Sequence, residues 1–340
     1  MLILAQAKGP SELVATLWFL LGFAAIGFAI YLIYRVLELA PRFIKKCVSY
    51  LTLTSLGIFM MAPFLWMLLV SLQPNKAPIP PLNELLITRK EKVFDAQGKP
   101  VMESATVQKE RAVFDPQWKN YEAVLTMRDI PVLRFFINSV IVTVAVVLGQ
   151  LFISSLAAYA FARLNFKWRE PLFYLFLGAL MFAGPVTQLP VYLLCRSLGW
   201  LDTYWALIIP GISSAFNVFL FRQFFMQVPK ELDEAARIDG AGDFRIYWKV
   251  VMPLSKAALA TAAAFSFFAV WTDFFWPLLA TNSMQMRTME VGLSVFRNSY
   301  GGYNWPLQMT AAVIVMAPLL IVFLFTQRYF TKGIMLGGIK

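Results

Sequence analysis

Seven apolar stretches, at residues 13–34, 48–72, 136–160, 171–194, 204–221, 257–280 and 308–326, hold between them a single formally charged side chain, Asp273. A helix of about 20 apolar residues crosses the roughly 30 Å hydrocarbon of a bilayer, because each residue rises about 1.5 Å. Inside the bilayer every backbone polar group needs an internal partner, and a helix supplies one within each span. A large soluble core does not explain the runs. Only 14% of the residues are charged, well below the roughly 25% of soluble domains. The expected class is all-α, a polytopic membrane protein of about seven transmembrane helices. No basic segment precedes the first stretch, and its length exceeds a signal-peptide core, so it reads as a retained span.

The charges fix an expected orientation. Segments 35–47, 161–170, 222–256 and the tail after 326 carry sixteen Lys and Arg. The alternate short segments carry four: Lys8, Arg196, Arg287 and Arg297. The long segment 73–135 holds ten more with eight acids and weighs little in such a count. The positive-inside rule then puts the N-terminus outside and the C-terminus in the cytoplasm. It also explains the net charge of +11 without nucleic acid. Cys47 and Cys195 fall at opposite faces of that map, about 30 Å apart, too far for a disulfide.

The chain has no histidine and two cysteines, which removes the commonest general base and leaves too few thiols for a zinc or iron–sulfur centre. There is no Gly-x-x-x-x-Gly-Lys-Ser/Thr loop, so ATP is not expected in this chain. We expect no metal, no catalytic residues and no resident cofactor.

Domain organisation follows the spans. Residues 1–47 form an extra N-terminal span and basic loop, 48–72 the first core span, 73–135 an insert outside, and 136–340 the rest of the core. The insert opens on "PNKAPIPP", which favours an extended exit from the bilayer. "EKVFDAQGKPVME" alternates around Gln97-Gly98 and predicts a short hairpin there. "WKNYEAVL" reads as a helix start.

"KELDEAARIDGAG" interrupts the apolar pattern. Pro229 favours a helix start, the residues after it are good helix formers, and Gly240 suits the closing position. Glu231, Asp233 and Glu234 lie in the first turn, where the helix dipole favours acids. Leu232, Ala235, Ala236 and Asp239 share one shallow side, and Asp233 and Arg237 are spaced for an i,i+4 ion pair. A helix lying on lipid shows large apolar groups and a basic face. This one has small residues and an acidic start, and suits docking into a protein groove. Pro253 then ends the segment before the next span.

The stretch "EAARIDGAGDFRIYWKVVMP" resembles the EAA loop of ABC-importer permeases, over 229–253, with Val250 and Met252 where that family has Ile and Leu. "SLAAYAFARLNF", "FFAVWTDFFWPLL" and "QRYFTKGIMLGGIK" extend the likeness over 118–340, to the carbohydrate branch and its maltose-permease G-type subunit. Thr272 stands where the branch usually has Asn. The resemblance implies a six-span core. It implies a coupling helix over 231–242, with Glu231, Asp233, Glu234, Ala235, Ala236, Arg237, Asp239, Gly240 and Pro253 as its docking and transmitting residues. The implied partners are a dimer of a cytoplasmic ATPase that binds ATP and Mg, a second homologous permease, and an extracytoplasmic solute-binding protein.

Polar residues inside spans are costly and often functional. On that ground Asn138, Gln188, Asn217, Trp271, Thr272 and Asp273 are candidates for a path taken by a sugar or related polyol. Asn138, Gln188 and Asn217 equally fit interhelical hydrogen bonding, and the tryptophan fits interfacial anchoring. Gly184, Pro185 and Pro190 predict a broken fourth span. The alternative reading is an ion-coupled secondary transporter of a small polar solute, which calls for paired repeats and several membrane acids.

Overall fold

The computed structural model describes residues 42–74, 88–92, 102–104, 107–108, 110–127, 129–182, 184–299 and 304–337. The span expected at 13–34 and the turn at Gln97-Gly98 lie outside them. Contacts divide the chain into two units that meet between Leu65 and Trp66. The first contributes most of the Arg42–Ser71 helix, whose Tyr50, Leu53, Ile58 and Phe59 are exposed as lipid-facing groups are.

The second unit is organised on one helix, Val132–Arg163. Its 32 residues reach about 48 Å at the standard rise, ample for a bilayer. One face is small and polar (Ser139, Thr143, Ser154, Ser155 and Ala158, all buried), which lets neighbouring helices approach closely. Three buried clusters succeed one another along it. Phe135 joins Val124, Met289, Leu307 and Val315. Val142 and Val146 join Leu207, Trp276 and Ala280. Ala158 and Tyr159 join Phe221, Phe225, Tyr247 and Ala262. At Gly292 the backbone comes so close that an added Cβ would lie 2.1 Å from Phe135.

Four helical segments are long and apolar enough to cross a membrane: Lys46–Ser71, Val132–Arg163, Tyr204–Gln227 and Trp305–Gln327. Two bent pairs bring the total to six. The first pair, Arg169–Met181 with Val186–Ser197, turns through 99° at the Gly184 region, where a break was expected. The second, Asp243–Leu254 with Lys256–Trp271, turns through 81° at Ser255. One expectation needs correction: 257–280 is not a continuous helix. It ends at Trp271 and resumes at Phe275–Ala280. There the Thr272 hydroxyl bonds the Phe268 carbonyl, and Asp273 accepts the Trp276 amide at 3.3 Å.

In the described part of the insert, Thr88–Lys92 pairs antiparallel with Glu110–Phe114, Thr88 opposite Phe114 and Lys92 opposite Glu110. Met102–Ser104 pairs with Val107–Gln108. The other described elements are all helical. The helix expected near 118 is Lys119–Leu125. Asn120 fixes it by donating to the carbonyls of Ser71 and Gln73, each at 2.8 Å.

Candidate functional site: the loop helix and its seat

The helix between the Ala215–Gln227 and Lys256–Trp271 segments spans Lys230–Ile238. Gly240 closes it as expected. Its φ is +78°, a left-handed conformation that glycine adopts without strain. The Gly240 amide donates to the Arg237 carbonyl at 3.0 Å and the Ala241 amide to that of Ala236 at 2.9 Å. These two bonds form a Schellman motif. Its apolar contact follows, since Ala236 and Ala241 both pack against the buried cluster of Tyr159, Phe225 and Tyr247.

The shallow side is therefore divided. Ala236 faces the chain's own core, whereas Leu232, Ala235 and Asp239 are exposed, as are Glu231, Glu234 and Arg237. Ile238 is 87% exposed, extreme for an isoleucine near a packed core. The expected Asp233–Arg237 pair does not form. Asp233 instead meets Arg163, at 3.2 Å, with the two side chains 14% and 3% exposed. Arg237 pairs with Asp243 across the closing turn. An exposed i,i+4 pair stabilises by only about 0.3–0.5 kcal/mol, while a buried guanidinium left without a counter-charge is far more costly. The buried partner wins.

Beyond the turn, Asp243–Ile246 leads into a π-helical turn, Tyr247–Val251. In an α-helix the Pro253 ring would strike the carbonyl four residues back, at Lys249; the widened turn lies there, and Ser255 ends the segment. Tyr247 is buried, meets the Ser155 hydroxyl at 2.8 Å, and sets its ring edge-on to Tyr159 at 5.4 Å. Nearby, Arg222 holds both oxygens of Glu170, at 2.8 and 2.9 Å, and lies over Phe173 at 4.0 Å.

The candidate path residues do not gather into a pocket. Asn138 is fully buried and fully engaged: it donates to the Gln285 and Arg287 carbonyls at 2.8 and 2.9 Å and accepts from Tyr204 at 2.7 Å. Asn217 donates to Gln150 at 3.1 Å and Ser266 at 2.8 Å. Trp271 donates to the Val315 carbonyl at 3.0 Å and stacks on Phe267. These three tie their helices to other parts of the chain. Asp273 lines a cavity of about 60 Å³ with Ser139, Thr143 and Thr288. Ligand pockets run from about 300 Å³ upward, so this one has room for water rather than a sugar. Gln188 differs from the rest: its side-chain oxygen is buried and has no hydrogen-bond partner among the described residues. Sequence reasoning missed Arg163, Glu170, Arg222 and Tyr247 as parts of the seat. Their contacts are 52 to 92 residues apart in the chain, and no local spacing signals them.

A helical membrane bundle that holds a short, outward-facing helix on a rigid buried seat has the make-up of a transport subunit that takes its drive from elsewhere. Residues 130–335 match the family of binding-protein-dependent transport system inner membrane components, and the chain belongs to that family. It is a permease subunit of an ABC importer, seated in the inner membrane, and not an enzyme; the ion-coupled alternative falls with that assignment. Among similar proteins is the arabinooligosaccharides transport system permease protein AraQ of Halalkalibacterium halodurans, 37% identical over 206 residues, or 61% of this chain and 74% of that one. The sn-glycerol-3-phosphate transport system permease protein UgpE of Brucella abortus is 38% identical over 59% of this chain and 72% of its own length. The fold is similar to a chain in the crystal structure of a bacterial ABC transporter involved in import of the acidic polysaccharide alginate. There the TM-score is 0.64 and the identity 23%, over 86% of this chain and 99% of that one.

Proposed function

We propose that this subunit forms part of the path for a sugar or related polyol, and that the Lys230–Ile238 helix is the coupling helix that docks on a partner ATPase. The observation that carries the reading is the exposed face of Leu232, Ala235 and Ile238 on a helix whose other side is locked to its own chain. A face of that kind, small at its centre and apolar at its rim, fits a protein groove. The ATPase binds ATP and Mg, so neither is held by this chain. Glu231 and Glu234 serve the docking surface and are not acid–base groups. The remaining partners are a second homologous permease, most simply a different chain, and an extracytoplasmic solute-binding protein. The loop helix faces the cytoplasm, with the N-terminus outside and the C-terminus inside.

A neutral cargo is favoured over a phosphate. The seven apolar stretches contain no Lys or Arg, and their single charge, Asp273, is acidic. Neutral hydroxyls need only hydrogen-bonding groups, and Gln188 offers one in the broken fourth span, a kind of place that often lines transport paths. To test this, the affinity-tagged chain is isolated from native membranes and its companions identified by mass. The co-purified binding protein is then screened by calorimetry against arabino-oligosaccharides, polyols and sn-glycerol 3-phosphate. Binding of a neutral sugar or polyol is expected. Selective binding of the phosphate ester would overturn the neutral-cargo reading.

A further inference from the structure

We infer that Arg163 is a latch that makes the loop helix and the Val132–Arg163 helix move as one body. The inference rests on the reading of Lys230–Ile238 as the coupling helix, and goes beyond it by assigning the joint.

Arg163 is the last residue of the helix on which the bundle is organised. Its guanidinium joins three elements. Nη2 donates to the Phe225 carbonyl at 2.6 Å and the Val228 carbonyl at 2.5 Å, at the C-terminal end of Ala215–Gln227. A helix C-terminus carries partial negative charge, so the cation is favoured there. Nη1 meets Asp233 in the first turn of the loop helix. One planar group thus spans the turn Val228–Pro229 from both sides. The Arg163 side chain is 3% exposed, so water cannot readily replace a lost partner.

The other seat contacts do not do the same work. The Ala236 and Ala241 contacts are apolar and allow sliding. The Arg237–Asp243 pair stays within the loop and is about half exposed on both sides. Arg222 and Glu170 join Ala215–Gln227 to the segment at 169–178 and do not touch the loop helix. Among the described ion pairs, Arg163–Asp233 is the one that links the loop helix to the Val132–Arg163 helix. Pulling on Lys230–Ile238 therefore pulls on the span against which most of the bundle packs.

The test uses the whole complex in lipid nanodiscs, with spin labels at Lys230→Cys and Leu148→Cys in a Cys47→Ser background. Lys230 opens the loop helix away from the proposed docking face, and residues 230 and 148 are both exposed. Their distance distribution is measured without nucleotide and with ATP plus vanadate. In the otherwise unchanged chain one narrow distance should persist in both states. Asp233→Asn should shift or broaden it by more than about 5 Å, a helical turn, when nucleotide is added. Asp233→Glu, which keeps the carboxylate, should leave it narrow in both states. A distance that moves with nucleotide in the unmutated pair, or one that stays narrow in Asp233→Asn, would overturn the latch. Asp233→Asn avoids the folding risk of Arg163→Gln, because it leaves both carbonyl bonds of Arg163 in place. If no ATPase accompanies the unmutated chain, the coupling-helix reading itself fails and takes the latch with it. That outcome is distinct from an altered distance in a complete complex.

Discussion

The polar side chains inside the bundle and the outer face of the loop helix stand in opposite conditions. Asn138, Asn217 and Trp271 spend their hydrogen bonds on their own chain. Leu232, Ala235 and Ile238 turn away from it. A costly buried polar group is thus explained by architecture here, while an exposed apolar group on a rigid helix is explained only by something outside the chain. Substitutions in the first region should cost stability and spare docking. Those in the second should do the reverse.

The largest effect is expected at Gly240, which closes the loop helix and so shapes its outer face. An added Cβ meets no atom within 4 Å, but the φ of +78° remains. A β-branched residue there costs about 1–3 kcal/mol. Gly240→Val should lower uptake per inserted chain by about fivefold to a hundredfold, since 1.4 kcal/mol is a factor of ten. Gly240→Asn should be much milder, because Asn tolerates the left-handed region. Equal uptake by the two variants would break the argument from backbone conformation.

Asn138→Leu comes next. It strands two carbonyls and the Tyr204 hydroxyl. At about 0.6 kcal/mol per interhelical bond in membranes, the loss is about 2 kcal/mol, read as a lower melting temperature in detergent with undiminished ATPase binding. Trp271→Phe removes one bond to Val315 and should cost about 1 kcal/mol or less by the same measurement.

The smallest effect is a pH dependence at Asp202, in the turn before Tyr204. Burial alone would raise its carboxyl, but bonds from the Ser283 amide and hydroxyl and the Asn282 amide, with the Arg287 charge, hold it below the usual carboxylate range. A depressed folded value means stability that is present at neutral pH and lost as pH falls through that value. Asp202→Asn should therefore melt slightly lower than the unmutated chain at pH 7, and the gap should close in acid. A gap that widens in acid would contradict the sign.

Much of this was legible in the chain. Uncharged runs marked most of the described spans, Gly184 and Pro185 the break in the fourth, and Gly240 the end of the loop helix, because each rests on local geometry. What escaped was set by distant partners. Asp233 has a suitable cation four residues away, yet takes Arg163, seventy residues back, because that guanidinium is buried. Thr88–Lys92 finds its strand partner beyond the local turn. The break at Thr272 follows from capping by Asp273, which apolar run length does not register. Among the path candidates, only packing separates the engaged Asn138 from the unpartnered Gln188 oxygen.

The most direct test of the central claim changes Ile238 alone. Ile238→Asp alters a side chain that is 87% exposed, so the bundle should fold and melt as before. The tagged variant is purified from native membranes in mild detergent, and its ATPase content per permease chain is measured by quantitative mass spectrometry. ATPase should accompany the unmutated chain and be lost from Ile238→Asp at unchanged melting temperature. Full retention of the ATPase by the variant would contradict docking through this face.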